Sequence, residues 1–360
     1  MIEPGNRAEE LDGLRTLAIL AMVATHLTRL ISGPVRGPWC APSLLLDPLI
    51  QALFMGLAGA SLAWSWRGAQ RRGQARGTWL RARARRAGEV YLVGVVLFFF
   101  DKGPQLPHLF LAPGILAAIA LSIVVLAPIA SSRHPVAGAL SLAALGYGAM
   151  AALGPTPIAL PPITAGNAAL LPNVPLACLG LAAGVGLLRG DRRLLAAMSL
   201  PALVWGGWLA LQHGPAALLG YEVGRVTSTV SYRGKSHGLD IALDMLQGAE
   251  LAERPVEYFN SSLVAQPFVL GLVVLLYLLL RLSRPLWQRG AALLFLPGRA
   301  SLTSYVLHLL LLGLLVAATG KAKPLTVPWA GEAVYIAVLA LVYLAAALNE
   351  RWMHRKKRAS

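Results

Sequence analysis

Ten apolar runs, all but one 17 to 22 residues long, alternate with short polar or basic segments along the chain. They fall near residues 14–32, 45–66, 87–101, 109–130, 136–154, 169–188, 194–212, 263–282, 301–318 and 333–349. A helical run of about 18 or more apolar residues is long enough to cross a hydrocarbon core of about 30 Å. The pattern therefore predicts an all-α fold, a polytopic membrane helix bundle of about ten transmembrane helices, forming one integral-membrane domain over residues 1–360. The third run, ending VYLVGVVLFFF, is short. The sixth carries Pro172 and Pro175, which predicts an interrupted span, tolerated where protein or a cavity satisfies the freed backbone groups. One long polar insertion, at about 213–262, breaks the alternation, and Leu239 to Leu251 within it reads as a short amphipathic helix at the outer interface. That insertion is either a cap over the outer face or a lid that recognises substrate.

Composition agrees with the pattern. Of 360 residues, 56% are hydrophobic and 13% charged, and the mean hydropathy is +0.62. A soluble domain carries roughly a quarter charged residues. The net charge of +16 would suit a nucleic-acid partner, but its distribution argues against one. The N-terminal residues through Arg15 and segments 67–86, 131–135, 189–193, 281–300 and 350–360 hold 23 of the 32 lysines and arginines. Basic residues clustered between alternate spans follow the positive-inside tendency, which predicts cytoplasmic N- and C-termini; the membrane expected is a bacterial cytoplasmic (inner) one. The opening MIEPGNRAEELDG is polar and acidic, so the first span is expected to insert directly rather than serve as a cleaved signal. Cys40 and Cys178 show no metal-ligand spacing and are expected to be structural.

Ionisable groups inside spans are costly, which makes each a functional candidate. In RTLAILAMVATH, Arg15 and His26 are eleven residues apart, or three helical turns plus roughly 20°, so they share one helix face about 16 Å apart. His26 reads either as a packed histidine with one hydrogen bond or as a general base, since a neutral imidazole takes and returns a proton near pH 7. Arg15 reads either as an interfacial anchor paired with Asp12, three residues earlier, or as an anion contact, because guanidinium matches phosphate geometry. His308 lies about halfway along the ninth run, in SLTSYVLHLLLL. The basic segment 67–86 serves orientation and anionic lipid; Arg85 and Arg86, at the mouth of the third span, are also placed to clamp a polyphosphate donor. The chain has no G-x-S-x-G elbow, H-E-x-x-H, C-x-x-C or glycine-rich phosphate loop after a strand, which argues against a serine hydrolase, a metalloenzyme and nucleotide hydrolysis.

LDGLRTLAILAMVATH resembles the first span of the transmembrane acyltransferase superfamily, which includes acyltransferase-3 and heparan-α-glucosaminide N-acetyltransferase-like proteins. Its Arg15, ten residues and His26 match the acyltransferase-3 pattern. ALFMGLAGASL (52–62), LRARARRAGEVYL before and into the third span, PGILAAIALSIV (113–124) and GRASLTSYVLHLLL (298–311) are likewise similar to superfamily segments, in the same order. Residues 136–212 offer no residue-by-residue match. The resemblance implies acyl transfer from cytoplasmic acyl-CoA, foremost acetyl-CoA, to a hydroxyl or amine of a sugar or glycan-linked acceptor, with no metal. It implies that Arg15, Arg85 and Arg86 lie near the donor's phosphates and that His26 acts as general base or acyl carrier. His308 and Tyr305 would orient the acceptor or stabilise the oxyanion. A transporter or flippase of a small polar or lipid-linked substrate is the alternative, although the internal repeat it would usually show is not evident.

Overall fold

The computed structural model of the chain describes residues 9–30, 47–102, 108–111, 114–153, 170–200, 204, 271–319 and 330–359. Every regular element among them is helical. In chain order these are α1 (Glu9–Leu30), α2 (Asp47–Arg71), α3 (Arg76–Lys102), α4 (His108–Leu111), α5 (Ile115–Ala130), α6 (Pro135–Leu153) and α7 (Leu170–Arg189). They are followed by α8 (192–200), α9 (Gly271–Leu282), α10 (Arg284–Trp287), α11 (Ala291–Leu294), α12 (Leu296–Arg299), α13 (Ser301–Thr319) and α14 (Ala330–Ala359). The insertion at 213–262 and Cys40 lie outside the described residues.

The helices follow the apolar runs, with shifts that have local causes. α1 starts five residues before its run because Glu9, Glu10 and Asp12 favour the positive end of the helix dipole. α3 starts eleven residues before its run, since the arginines and alanines of RGTWLRARARRA are strong helix formers. The fourth run is divided at Gly114, whose φ of 93° no helix can hold, into α4 and α5. The sixth run corrects the expectation of an interrupted span: α7 is continuous. Pro172 stands in its first turn, where an N–H would have no intrahelical acceptor, so only Pro175 removes a bond. Gly146 of α6 leaves room for the Pro175 ring; a Cβ there would lie 2.6 Å from Pro175 Cγ.

Among the described residues one helix, Ala330–Met353 within α14, is long and apolar enough to cross a membrane. Shorter apolar helices run over Ile115–Ala130, Pro135–Met150, Asn173–Arg189, Gly271–Leu282 and Ser301–Leu315. Leu92, Val96, Phe99 and Phe100 of α3 and Leu341, Leu344 and Leu348 of α14 point outward. Contiguous apolar faces of this kind suit lipid rather than water.

The chain comprises two compact units. In the first, α2 and α3 form a hairpin around Gly73, whose φ of 64° closes a Schellman turn: Gln74 N–H donates to Ala69 O at 3.0 Å and Gly73 N–H to Gln70 O at 3.0 Å. Trp79 is fully buried there, its Nε1 donating to Ser65 Oγ at 3.0 Å and its ring 5.1 Å from that of Trp66. Arg76 ties α3 to the end of α5, donating to Ser131 Oγ at 3.0 Å and to Pro128 O at 3.3 Å. Helix α7 crosses α2 through small residues on both sides, Gly56, Gly59 and Ala60 against Ala177, Gly180 and Gly184.

The second unit packs α1 against the short helices α11 and α12 and the longer α13 and α14. Phe295, stacked edge-on against Trp287 at 4.8 Å, reaches α1 at Gly13, where a Cβ would sit 3.0 Å from Phe295 Cζ. Tyr335 O–H donates to Leu20 O at 3.3 Å, tying α14 to α1, and Arg299 of α12 pairs with Glu350 of α14 at 3.6 Å. This arrangement holds the start of α13 beside the start of α1.

Candidate active site

The site is built up α1 from its N-terminal end. Asp12 is fully buried and accepts a hydrogen bond from Arg15 Nη1 at 2.6 Å, one helical turn on. A buried carboxylate needs such a partner, because removing either member leaves an uncompensated charge. On the same turn Thr16 Oγ1 donates to Asp12 O and accepts from Gly298 N–H, both at 3.0 Å. Gly298 is required there: a Cβ would overlap the Asp12 carbonyl oxygen and lie 2.7 Å from Thr16 Oγ1. Gly298→Ala should therefore destabilise the second unit by more than the usual overpacking cost of about 1–3 kcal/mol, read as a lowered thermal midpoint in detergent.

From that seat the chain turns into α13. Ser304 Oγ donates to Pro297 O at 3.1 Å, and the Ser304 carbonyl lies 3.2 Å from His308 Nδ1. A carbonyl only accepts, so Nδ1 carries the hydrogen and Nε2 the lone pair. His308 is 0% exposed, and its Nε2 is buried without a hydrogen-bond partner among the described residues. An orphaned buried acceptor costs about 1–3 kcal/mol and calls for an explanation. The ring of His26 on α1 lies 5.5 Å from that of His308, tilted by 38°, and Tyr305 meets His308 edge-on at 5.4 Å. The second unit thus gathers two imidazoles and a phenol, and places the Arg15–Asp12 pair lower on the same helix.

Of the residues expected from sequence, Asp12, Arg15, His26, Tyr305 and His308 all belong to this unit. Arg85 and Arg86 belong to the other, on α3, where both pair with Glu89 at 3.3 and 3.1 Å. Arg85 is 84% exposed. Sequence reasoning missed Ser304, which sets the His308 tautomer. Its i−4 spacing from His308 was the available signal, because a helix brings that carbonyl beneath the ring. It also missed Thr16 and Gly298, whose contact spans 282 positions and leaves no mark on local periodicity. Cys178 is a buried free thiol on α7.

Sequence comparison places this helical chain among the acyltransferases. Residues 7–223 match the family described as heparan-alpha-glucosaminide N-acetyltransferase, catalytic, and the chain belongs to that family. The match runs through residues 136–212, where individual residues offered no correspondence. No curated protein matches the chain.

Proposed function

We propose that the protein is a membrane-embedded acetyltransferase that moves an acetyl group from cytoplasmic acetyl-CoA to a hydroxyl or amine of a glycan-type acceptor. The reading includes a single enzyme of about ten spans over residues 1–360, with both termini on the cytoplasmic side of a bacterial inner membrane and the insertion at 213–262 on the outer side. The observation that carries it is His308 Nε2, a buried lone pair with no partner among the described residues, beside a second imidazole. A glycan hydroxyl or amine supplies the missing donor. His308 Nε2 takes the acceptor proton as the acceptor oxygen or nitrogen bonds to the thioester carbonyl carbon. The C–S bond then breaks and the thiolate leaves, protonated from the imidazolium. His26 meets the acyl group, as orienting contact or as transient carrier, and Tyr305 supports the developing oxyanion. Arg85 and Arg86, on the first unit, are the contacts for the donor's phosphates, and Arg15, on the second, is a separate anion contact. A guanidinium has five N–H donors, so a bond to one carboxylate does not by itself preclude contact with an anion.

Incubating the purified full chain with radiolabelled acetyl-CoA and glucosamine- or glucose-terminated saccharides tests the assignment. His26→Ala is expected to lower labelled product at least 100-fold while the protein still inserts and stays monodisperse. Label that survives denaturation in wild type and disappears in His26→Ala marks a covalent acyl-imidazole. Equal turnover in both proteins overturns the role of His26.

A further inference from the structure

The basic start of α3 holds one arginine unlike its neighbours. Arg76, Trp79, Arg83, Ala87 and Val90 follow the helical repeat and fall within one stripe about 80° wide. Trp79, Ala87 and Val90 of that stripe are buried, and Arg76 is bound at its end to Ser131 and Pro128. Arg83 thus lies on the packed face of α3, between Trp79 and Ala87, whereas Arg81, Arg85 and Arg86 are exposed.

Arg83 is partly buried, and its Nε is buried without a hydrogen-bond partner among the described residues. Among the described residues it has no ion-pair partner either. The charged groups that act on it are cations, Arg86 on the next turn and Arg72 across the α2–α3 turn. Burial first, then the Arg86 and Arg72 charges, pull the Arg83 guanidinium below its usual pKa. Glu89 does not relieve this: it is bound by Arg85 and Arg86, and it sits about 120° around the helix from Arg83. A half-buried cation among like charges, with an unused N–H, is a favourable place for an anion.

We infer that Arg83, flanked by Arg72 and Arg86, is a phosphate-binding site, with Arg83 as the inward anchor. The planar guanidinium binds a tetrahedral phosphate through paired N–H groups, and the two outer arginines complete its charge. A phosphate here comes either from coenzyme A or from the headgroup of an anionic lipid. The coenzyme A form rests on the acyl-transfer reading; the lipid form does not.

Both sources are tested with the full chain in phosphatidylcholine nanodiscs, by calorimetric titration with coenzyme A and by native mass spectrometry of retained phosphatidylglycerol. Arg83→Gln is expected to weaken one of these ligands about tenfold or more. Arg81→Gln, on the exposed face, should stay within about twofold, since exposed single charges contribute little. Loss of coenzyme A binding supports the site with the donor as its ligand. Loss of phosphatidylglycerol alone supports it with lipid as its ligand and leaves the acyl-transfer reading untouched. Arg83→Lys keeps the charge and loses the planar fork, so it gives the same comparison at a smaller amplitude should the glutamine variant fold poorly. Wild-type binding of both ligands by the Arg83 variants overturns the inference.

Discussion

Replacing His308 by asparagine should lower acetyl transfer by about 10²–10⁴-fold, the range ascribed to a lost general base. The asparagine amide N–H stands near the position of Nδ1 and preserves the bond to Ser304 O, while nothing remains at Nε2 to accept a proton. His308→Gln makes the complementary change, placing an amide near Nε2. An amide is hydrogen-bonding and uncharged, and it cannot cycle a proton near pH 7. Both variants should retain helical circular dichroism and a monodisperse profile, so the defect appears in kcat for labelled acetyl transfer rather than in yield. Transfer at the wild-type rate by either variant would remove His308 from the chemistry and return its orphaned nitrogen to packing.

Gly180→Leu should prevent the first unit from folding, a larger structural effect than any polar substitution proposed above. At the α2–α7 crossing a Cβ on Gly180 would overlap the Gly56 carbonyl, one on Gly59 would overlap the Ala177 carbonyl, and one on Gly184 would lie 2.8 Å from Ala60 Cα. Every obstacle is backbone, and backbone does not rotate away as a side chain does. The G-x-x-x-G spacing of Gly180 and Gly184 brings two helix backbones into contact, the arrangement used where lipid offers no hydrophobic drive for association. Even Gly180→Ala must push the helices apart, beyond the usual overpacking cost of about 1–3 kcal/mol. Gly88→Leu provides the control, because a Cβ there meets nothing within 4 Å. Extraction yield and thermal midpoint in detergent give the reading, and a wild-type midpoint for Gly180→Leu would refute the close crossing.

How much of this was legible beforehand depends on distance along the chain. The Arg15–Asp12 pair, the Arg85 and Arg86 contacts with Glu89, and the bond from His308 to the Ser304 carbonyl join positions three or four apart. The helical repeat alone makes such residues neighbours, so the first pair was expected and the others were open to the same reasoning. The prolines of α7 were misread because their place in the helix mattered more than their presence. Pro172 falls in the first turn, where it removes no bond, and Pro175 fits against a glycine of α6.

By itself, the sequence determined the all-helical class and the family, and it singled out the two histidines on which the proposed chemistry rests. Apolar run length, helix propensity and a handful of ordered motifs are local properties, and they survive without knowledge of partners. Tertiary structure alone decided that His26 and His308 share one unit at 5.5 Å, that Gly298 seats on Asp12 and Thr16, and that Arg83 rather than Arg85 turns inward. In a soluble helix an apolar stripe marks the face that will pack. Here nearly every face is apolar, so hydrophobicity does not say which sides meet. Small residues and backbone contacts choose them, and those take effect only once the helices are side by side.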